Sequence, residues 1–304
     1  MKITKELVQD LYIDQKKSTL DTCAVLGIGR TTFYKYLAKF GIENRGQQKY
    51  FPKDDFFSTW SHEMAYCLGF ISADGHVWKD RPFLTISLAV EDVDTLTYIR
   101  DQISPSTLVR DNPKGNSVQI NIKSKQIHSD LAKYNVTNSK TFNLKIDFDI
   151  PEDYWGDYLR GYFDGDGSIW LSKDLKSPVY SGSIVSASEQ FLIDIQKRLN
   201  FGSVRPTHDG KYFSLGFSNR QLLSLKEIIY SDPSRVVMKR KYEKFLNVKI
   251  NEDYNYWTEE EESIIRANLN RPTRFTVLLL PNRTAASIQT KRNKIVKDSK
   301  NNKN

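Results

Sequence analysis

Apolar residues recur along the chain with two different periods, and the changes between them divide it into segments. Near the N-terminus Leu7, Val8 and Leu11 keep helical spacing, Thr19 to Thr22 has the polar character of a capped helix start, and Gly27 interrupts the pattern before it resumes over Arg30 to Leu37. Three short helices are predicted over residues 1–46, the last two joined by a tight turn at Leu26-Gly27-Ile28-Gly29. Residues 47–59 are polar, contain Pro52 and read as a linker. A duplicated pattern follows. Met64 to Gly75 (MAYCLGFISADG) and Trp155 to Gly167 (WGDYLRGYFDGDG) are both apolar helical stretches that stop at Asp-Gly. After the first, Leu84, Ile86 and Leu88 alternate with polar residues as in a half-buried strand. Glu91, Asp92 and Asp94 then open a helix through Ile103, and Val118, Ile120 and Ile122 alternate beyond a turn at Pro113 to Asn116. The second copy answers with a strand over Val179 to Ala187, a helix from Ser188 to Leu199 and a strand pair around His208-Asp209-Gly210. Helices near Ser124 to Tyr134 and Asn219 to Tyr230 close the copies, so each reads α-β-β-α-β-β-α. The repeats are assigned to residues 60–137 and 153–250, with an inter-repeat linker at 138–152.

A last helical module is predicted over residues 251–304. Thr258 and Glu259 to Glu262 mark one helix start, Phe275 to Leu280 forms a short apolar helix, and Thr284 caps a third helix with Ile288 and Ile295 on one face. The Lys- and Asn-rich tail after Val296 is expected to be disordered.

Composition narrows the classes. The 304 residues are 39% hydrophobic and 12% aromatic, enough for ordered cores, and the net charge is +8. Cys23 and Cys67 lie in apolar runs with no disulfide or CxxC pattern, which suggests a reducing compartment. Purely apolar runs such as Val277 to Leu280 are too short for a membrane span, and no signal peptide is evident. A polyanionic partner is favoured over a membrane or an acidic one.

The duplicated motif carries the chemistry. Asp74 and Asp166 end apolar helices whose exposed carbonyls are already partly negative, so each needs a compensating cation. Gly75 and Gly167 are expected in the left-handed conformation common after helix ends. Small residues recur on both helices, at Ala65, Gly69 and Ala73 and at Gly161 and Gly165, a stripe that permits close helix packing. Packed on it, the helices would bring Asp74 and Asp166 side by side, where two carboxylates invite a shared proton or a divalent cation. Oxygen donors without nearby His or Cys point to Mg²⁺ (or Mn²⁺).

The segments Cys67 to Gly75 and Leu159 to Gly167 resemble the two motifs of a single-chain LAGLIDADG homing endonuclease, over roughly Trp60 to Val248. The resemblance implies an α+β fold in which two pseudo-symmetric repeats form a saddle of antiparallel sheets laid in the DNA major groove. Asp74 and Asp166 would bind the metal ions, with the backbone of Gly75 and Gly167 as further ligands. Both strands of a long asymmetric duplex would be hydrolysed across the minor groove, leaving short 3′ overhangs. Ser72 departs from the first acidic position of the motif, which Asp164 retains. Lys140 and Lys241 match a lysine that the family places near the active site, and Lys239 is an alternative to Lys241.

The polar strand faces are the expected reading surface, with Lys79, Arg81, Arg110, Asn121, Lys123, Lys173, Lys176, Arg205 and Lys211 as DNA-binding candidates alongside Trp78, Thr85 and their neighbours. The first module resembles a helix-turn-helix, with Arg30, Thr31, Thr32 and Lys35 facing DNA while Phe33 and Leu37 pack inward. The last resembles a Myb-like domain, whose third helix would read DNA through Arg283, Lys291 and Arg292. These two small all-α modules would flank the saddle. Charge agrees with that arrangement: residues 239–304 hold 15 basic against 8 acidic side chains, whereas residues 60–238 hold 20 against 22.

The expected protein is thus a monomeric, metal-dependent, site-specific endonuclease acting on double-stranded DNA. Its expected setting is the cytoplasm, associated with the nucleoid of a prokaryotic or phage-infected cell, or an organelle. The alternative is a non-cleaving DNA-binding regulator or an intron-RNA maturase on the same fold. An intein is disfavoured because the chain begins at Met1 without a nucleophile and ends in Lys-Asn without a splice junction.

Overall fold

The structure, a computed structural model, describes residues 3–15, 17–44, 50–112, 115–172, 178–207, 209–249 and 257–301. The chain divides into two units, Met1–Ile250 and Asn251–Asn304. In the first, α1 (Lys5–Val8) runs into a π-helical turn at Gln9–Asp14 and is followed by α2 (Thr19–Leu26) and α3 (Arg30–Phe40). Ser18 caps α2 through its hydroxyl, and Gly27 ends it at φ 66°, the left-handed geometry that the turn requires. Val8, Tyr12, Leu26, Phe33 and Leu37 close a small core of their own.

The repeats follow the predicted order. The first comprises α4 (His62–Asp74), β1 (Gly75–Val77), β2 (Phe83–Ala89), α5 (Val93–Ile103), β3 (Arg110–Asp111), β4 (Ser117–Lys123) and α6 (Lys125–Lys133), and is followed by α7 (Lys140–Asn143). The second comprises α8 (Glu152–Asp166), β5 (Gly167–Ser172), β6 (Val179–Ser186), α9 (Glu189–Leu199), β7 (Ser203–Pro206), β8 (Phe213–Phe217), α10 (Asn219–Ile229) and α11 (Lys239–Leu246). The two antiparallel sheets have matching orders, β1-β2-β4-β3 and β5-β6-β8-β7. Gly75 pairs with Ile86 as Gly167 pairs with Ile184. Alternation decides the faces: Leu84, Ile86, Leu88, Val118, Ile120 and Ile122 turn into the core, and the residues between them turn outward.

The supposed linkers are partly structural. Phe57 is buried, the Phe51 amide donates to Ser106 Oγ at 2.7 Å, and the Lys53 amide donates to the Ile103 carbonyl at 2.8 Å. The inter-repeat segment contains α7 and buries Leu144 and Ile150 in the shared core. It also braces the other repeat, since Ser188 Oγ donates to the Leu144 carbonyl at 2.6 Å and the Ile146 amide to Asp194 Oδ2 at 3.1 Å.

The second unit holds α12 (Glu259–Ala267), α13 (Thr273–Leu279) and α14 (Ala285–Asn301) around Ile265, Leu280, Ile288 and Ile295. Thr258 and Glu261 form a reciprocal cap at the start of α12. The helix α14 continues through Asn301, past the point where the tail was expected to lose order.

Candidate active site

The two motif helices meet along their small residues. A Cβ on Gly69 would stand 1.9 Å from the Tyr158 carbonyl oxygen, and one on Gly161 would stand 2.1 Å from that of Tyr66. Each glycine thus faces the corresponding turn of the other helix, and only a missing side chain lets the backbones touch. Farther along, a Cβ on Gly165 would lie 2.4 Å from that of Ala73 and 3.3 Å from Asp74 Oδ2. The stripe therefore delivers the C-terminal ends of α4 and α8, with Asp74 and Asp166, to one place.

One expectation is corrected here. Gly75 and Gly167 are extended, at φ −71° and −84°, not left-handed. Each helix passes directly into a strand, and glycine is needed because a Cβ would meet Ile71 at 2.5 Å or the Phe163 ring and carbonyl at 2.5 Å.

Burial pushes the Asp74 carboxyl above its ordinary range, against the pull of Lys241 and Lys140. Asp166 is pushed up to about 6 by burial and then by the charge of Asp74. Asp74 is exposed and Asp166 half-buried, and the rise at Asp166 is what a neighbouring like charge adds in a partly dehydrated setting. Among the described residues no cluster of three or more His, Cys, Asp or Glu side chains is arranged to hold a metal. Two hard carboxylates nevertheless fit a Mg²⁺-type ion, which commonly takes few protein ligands and fills its shell with water and substrate oxygens.

Lys140 and Lys241 occupy the ends of these same helices. Lys140 Nζ donates to the carbonyls of Ser72 (2.7 Å) and Ala73 (2.6 Å). Lys241 Nζ donates to those of Phe163 (2.9 Å), Asp164 (2.6 Å) and Gly165 (2.7 Å). The ammonium groups supply the compensating cations that an aspartate at a helix C-terminus needs. They are not equivalent: Lys241 is buried with its three N–H groups engaged, and burial pulls its pKa down to about 8. Lys140 is half-buried and has two carbonyl partners. It lines a pocket of about 230 Å³ with Asp166, Tyr162, Ser186 and Tyr212. Lys239 is exposed and paired with Asp94 at 2.6 Å, so Lys241 is the lysine at the helix end.

The Ser72/Asp164 difference has a structural meaning. Ser72 is buried and returns its hydroxyl to the Leu68 carbonyl at 2.8 Å. Asp164, fully buried, accepts from the Tyr66 hydroxyl at 2.9 Å and the Met238 amide at 3.1 Å, tying α4 and the start of α11 to α8. Elsewhere, the Arg240 Nε–H is shared between both oxygens of the buried Asp92 carboxylate at 3.0 and 2.9 Å, linking the second repeat to the first. Sequence patterns did not single out either link as a bridge, because the partners are 74 and 148 positions apart.

The outward sheet positions are polar as expected. Lys79, Arg81, Arg110, Lys123, Arg205 and Lys211 are exposed, and Asn121 is half-buried on the outer face of β4. Arg110 also donates to the Tyr50 hydroxyl at 3.1 Å. Lys173 and Lys176 lie outside the described residues, as do Lys114 and His208. On α3, Arg30, Thr31, Thr32 and Lys35 are exposed while Phe33 and Leu37 are buried.

In the second unit the three expected reading residues are engaged by groups of the unit itself. Arg283 is buried, clamps Glu261 with two bonds of 2.7 and 2.6 Å, and sits 4.3 Å over the Trp257 ring. Arg292 is buried and donates to Thr276 Oγ1 (3.1 Å) and to the carbonyls of Leu269 (2.6 Å) and Arg271 (2.5 Å). Lys291 is held by Glu262. A small helical unit has few apolar contacts, and its long cationic side chains are spent joining its helices.

Comparison with known proteins agrees with the second repeat in particular. The profile of the family described as LAGLIDADG-like domain matches residues 155–229. No curated protein matches the chain. Among solved structures, the meganuclease I-SmaMI bound to uncleaveable DNA is similar at a TM-score of 0.47 and 13% identity, over 68% of this chain and 97% of that one. The I-LtrWI LAGLIDADG homing endonuclease bound to target DNA gives 0.47 and 14%, over 72% and 98%. I-GzeII in complex with its DNA target gives 0.46 and 14%, over 71% and 94%. Among the described residues no helix is long and apolar enough to cross a membrane.

Proposed function

We propose that the chain is a site-specific endonuclease of double-stranded DNA. The observation that carries this reading is the convergence of Asp74 and Asp166 at the glycine-packed ends of two helices, with one four-stranded sheet following each helix. The carboxylates fit Mg²⁺ or Mn²⁺, which when bound lowers the pKa of a water nucleophile and stabilises the departing 3′-oxygen. Lys241 and Lys140 neutralise the helix ends and keep both carboxylates able to ionise. Lys140, at the edge of the pocket beside Asp166, is the lysine placed to donate toward a phosphate oxygen. The outward sheet residues would read the major groove, with α3 adding contacts through Arg30, Thr31, Thr32 and Lys35. In the second unit, the exposed Gln289, Thr290, Asn293 and Lys294 of α14 are the better candidates for DNA contact. The protein would act as a monomer, because one chain supplies both carboxylates and both sheets, and cleavage would leave short 3′ overhangs.

The test is cleavage of a randomised duplex library in Mg²⁺ by the wild type and by Asp74→Asn and Asp166→Asn. The wild type should produce double-strand breaks at a selected sequence, and each variant should bind that sequence while cutting it at least about a hundredfold more slowly. Undiminished cleavage by either variant would remove the carboxylates from the mechanism. Binding without cleavage by the wild type would favour a regulator or RNA-binding role.

A further inference from the structure

On the outer face of the first sheet, three side chains form a directed chain of hydrogen bonds. The Trp78 indole, 44% exposed just beyond β1, donates through Nε1 to Thr85 Oγ1 at 3.0 Å. The Thr85 hydroxyl donates to Asn121 Oδ1 at 2.6 Å, directly across the β2–β4 pair. The direction follows from chemistry. An indole N–H can only donate, so the threonine oxygen accepts from it. A separation of 2.6 Å lies within the O–H···O range and below the usual N–H···O range, which puts the asparagine oxygen, not its nitrogen, against the hydroxyl. Asn121 Nδ2 has no partner among the described residues and remains available at the sheet surface.

We infer that this relay makes Asn121 a donor-only reader of the major groove, selecting guanine where an unconstrained asparagine would select adenine. The inference rests on the reading of the sheets as a DNA-recognition surface. An asparagine free at both ends matches adenine, giving an N–H to N7 and accepting from the N6 amine. With Oδ1 turned into the sheet and engaged by Thr85, only the NH₂ group faces outward. Guanine presents two acceptors there, N7 and O6, and no donor.

The second repeat provides an internal contrast. The position equivalent to Trp78 is Trp170, also exposed at 46%, and the pairing that aligns Gly75 with Ile86 aligns Gly167 with Ile184. On that alignment Ser183 stands for Thr85, and the residue across from it is Gly216 instead of an asparagine. Among the described residues the Trp170 indole has no hydrogen bond, so the relay belongs to the first repeat alone. Its effect should be confined to one base pair in one half of the target.

The experiment is selection of bound duplexes from a randomised library by the full-length protein in EDTA, comparing wild type, Thr85→Val, Thr85→Ser and Trp170→Phe. The wild type should enrich guanine at one position of one half-site. Thr85→Val removes the hydroxyl and frees Oδ1, so that position should move toward adenine by on the order of tenfold or more, with the rest of the consensus unchanged. Thr85→Ser keeps the hydroxyl and should keep guanine, and Trp170→Phe should leave that position alone. Should Thr85→Val lose its fold, as circular dichroism would reveal, Asn121→Ala tests the same position and should make it indifferent to base identity. A sharp wild-type consensus that neither Thr85→Val nor Asn121→Ala alters overturns the relay while leaving DNA recognition intact. Failure of the wild type to select any sequence overturns the relay together with the reading beneath it.

Discussion

Replacing Gly69 with alanine tests the central packing of this fold directly. In an open helix the exchange would stabilise by about 0.8–1 kcal/mol, because alanine loses less conformational entropy than glycine. Here the added methyl would lie 1.9 Å from the Tyr158 carbonyl oxygen and 2.9 Å from its carbon, where ordinary contact begins near 3.4 Å. The obstacle is helix backbone, so no rotamer change relieves it, and the helices must part by about 1.5 Å. Overpacking of a rigid core costs about 1–3 kcal/mol and more where nothing yields. A net loss near 2 kcal/mol is therefore expected after the propensity gain. Urea denaturation followed by circular dichroism measures it, with Gly115→Ala as the reference, since a Cβ there meets nothing within 4 Å. The same separation would shift Asp74 against Asp166, so cleavage should fall further than stability does. A Gly69→Ala protein as stable as wild type, or stabilised by the propensity increment, would refute the close-packed interface.

Two further outcomes follow from the charged groups. Lys241→Met leaves three helix-end carbonyls without their buried ammonium donor and should cost roughly 2–3 kcal/mol in urea denaturation, more than Lys140→Met, which frees two in a half-buried setting. The reverse order would contradict the capping role. In the second unit, Arg283 holds the Glu261 carboxyl below the ordinary glutamate value near 4.5. A lowered carboxylate pKa contributes stability that is present above that ordinary value and is lost as pH falls through the folded-state value. Proteolytic resistance of the C-terminal unit should therefore decline on acidification below about pH 4.5 in the wild type. In Arg283→Ala it should be low already at neutral pH, and an Arg283→Ala unit as resistant as wild type would show the clamp to be dispensable.

The local chemistry of this chain was legible in its sequence where the determinants are short-range. Period-2 alternation named the strands at Leu84 to Leu88 and Val118 to Ile122, Ser and Thr caps marked helix starts, and the repeated Asp-Gly ends gave the duplication and the two carboxylates. The small residues at Gly69, Gly161 and Gly165 even indicated which faces meet, because only missing side chains permit such an approach. What folding alone decided are properties of distant pairs. No sequence pattern says that Lys241 spends its protons on the carbonyls of α8 or that Arg240 binds Asp92 across the repeats. Nor does any pattern say that Arg283 and Arg292 are engaged by groups of their own helical unit. A basic side chain has the same local signature whether it points at solvent, phosphate or a carbonyl, and its role is set by which atoms the tertiary fold brings within about 3 Å. The glycines after the motifs make the same point from the backbone: an Asp-Gly helix end fits a left-handed cap equally well, and only the strand that must begin there, under Ile71 and Phe163, selects the extended form.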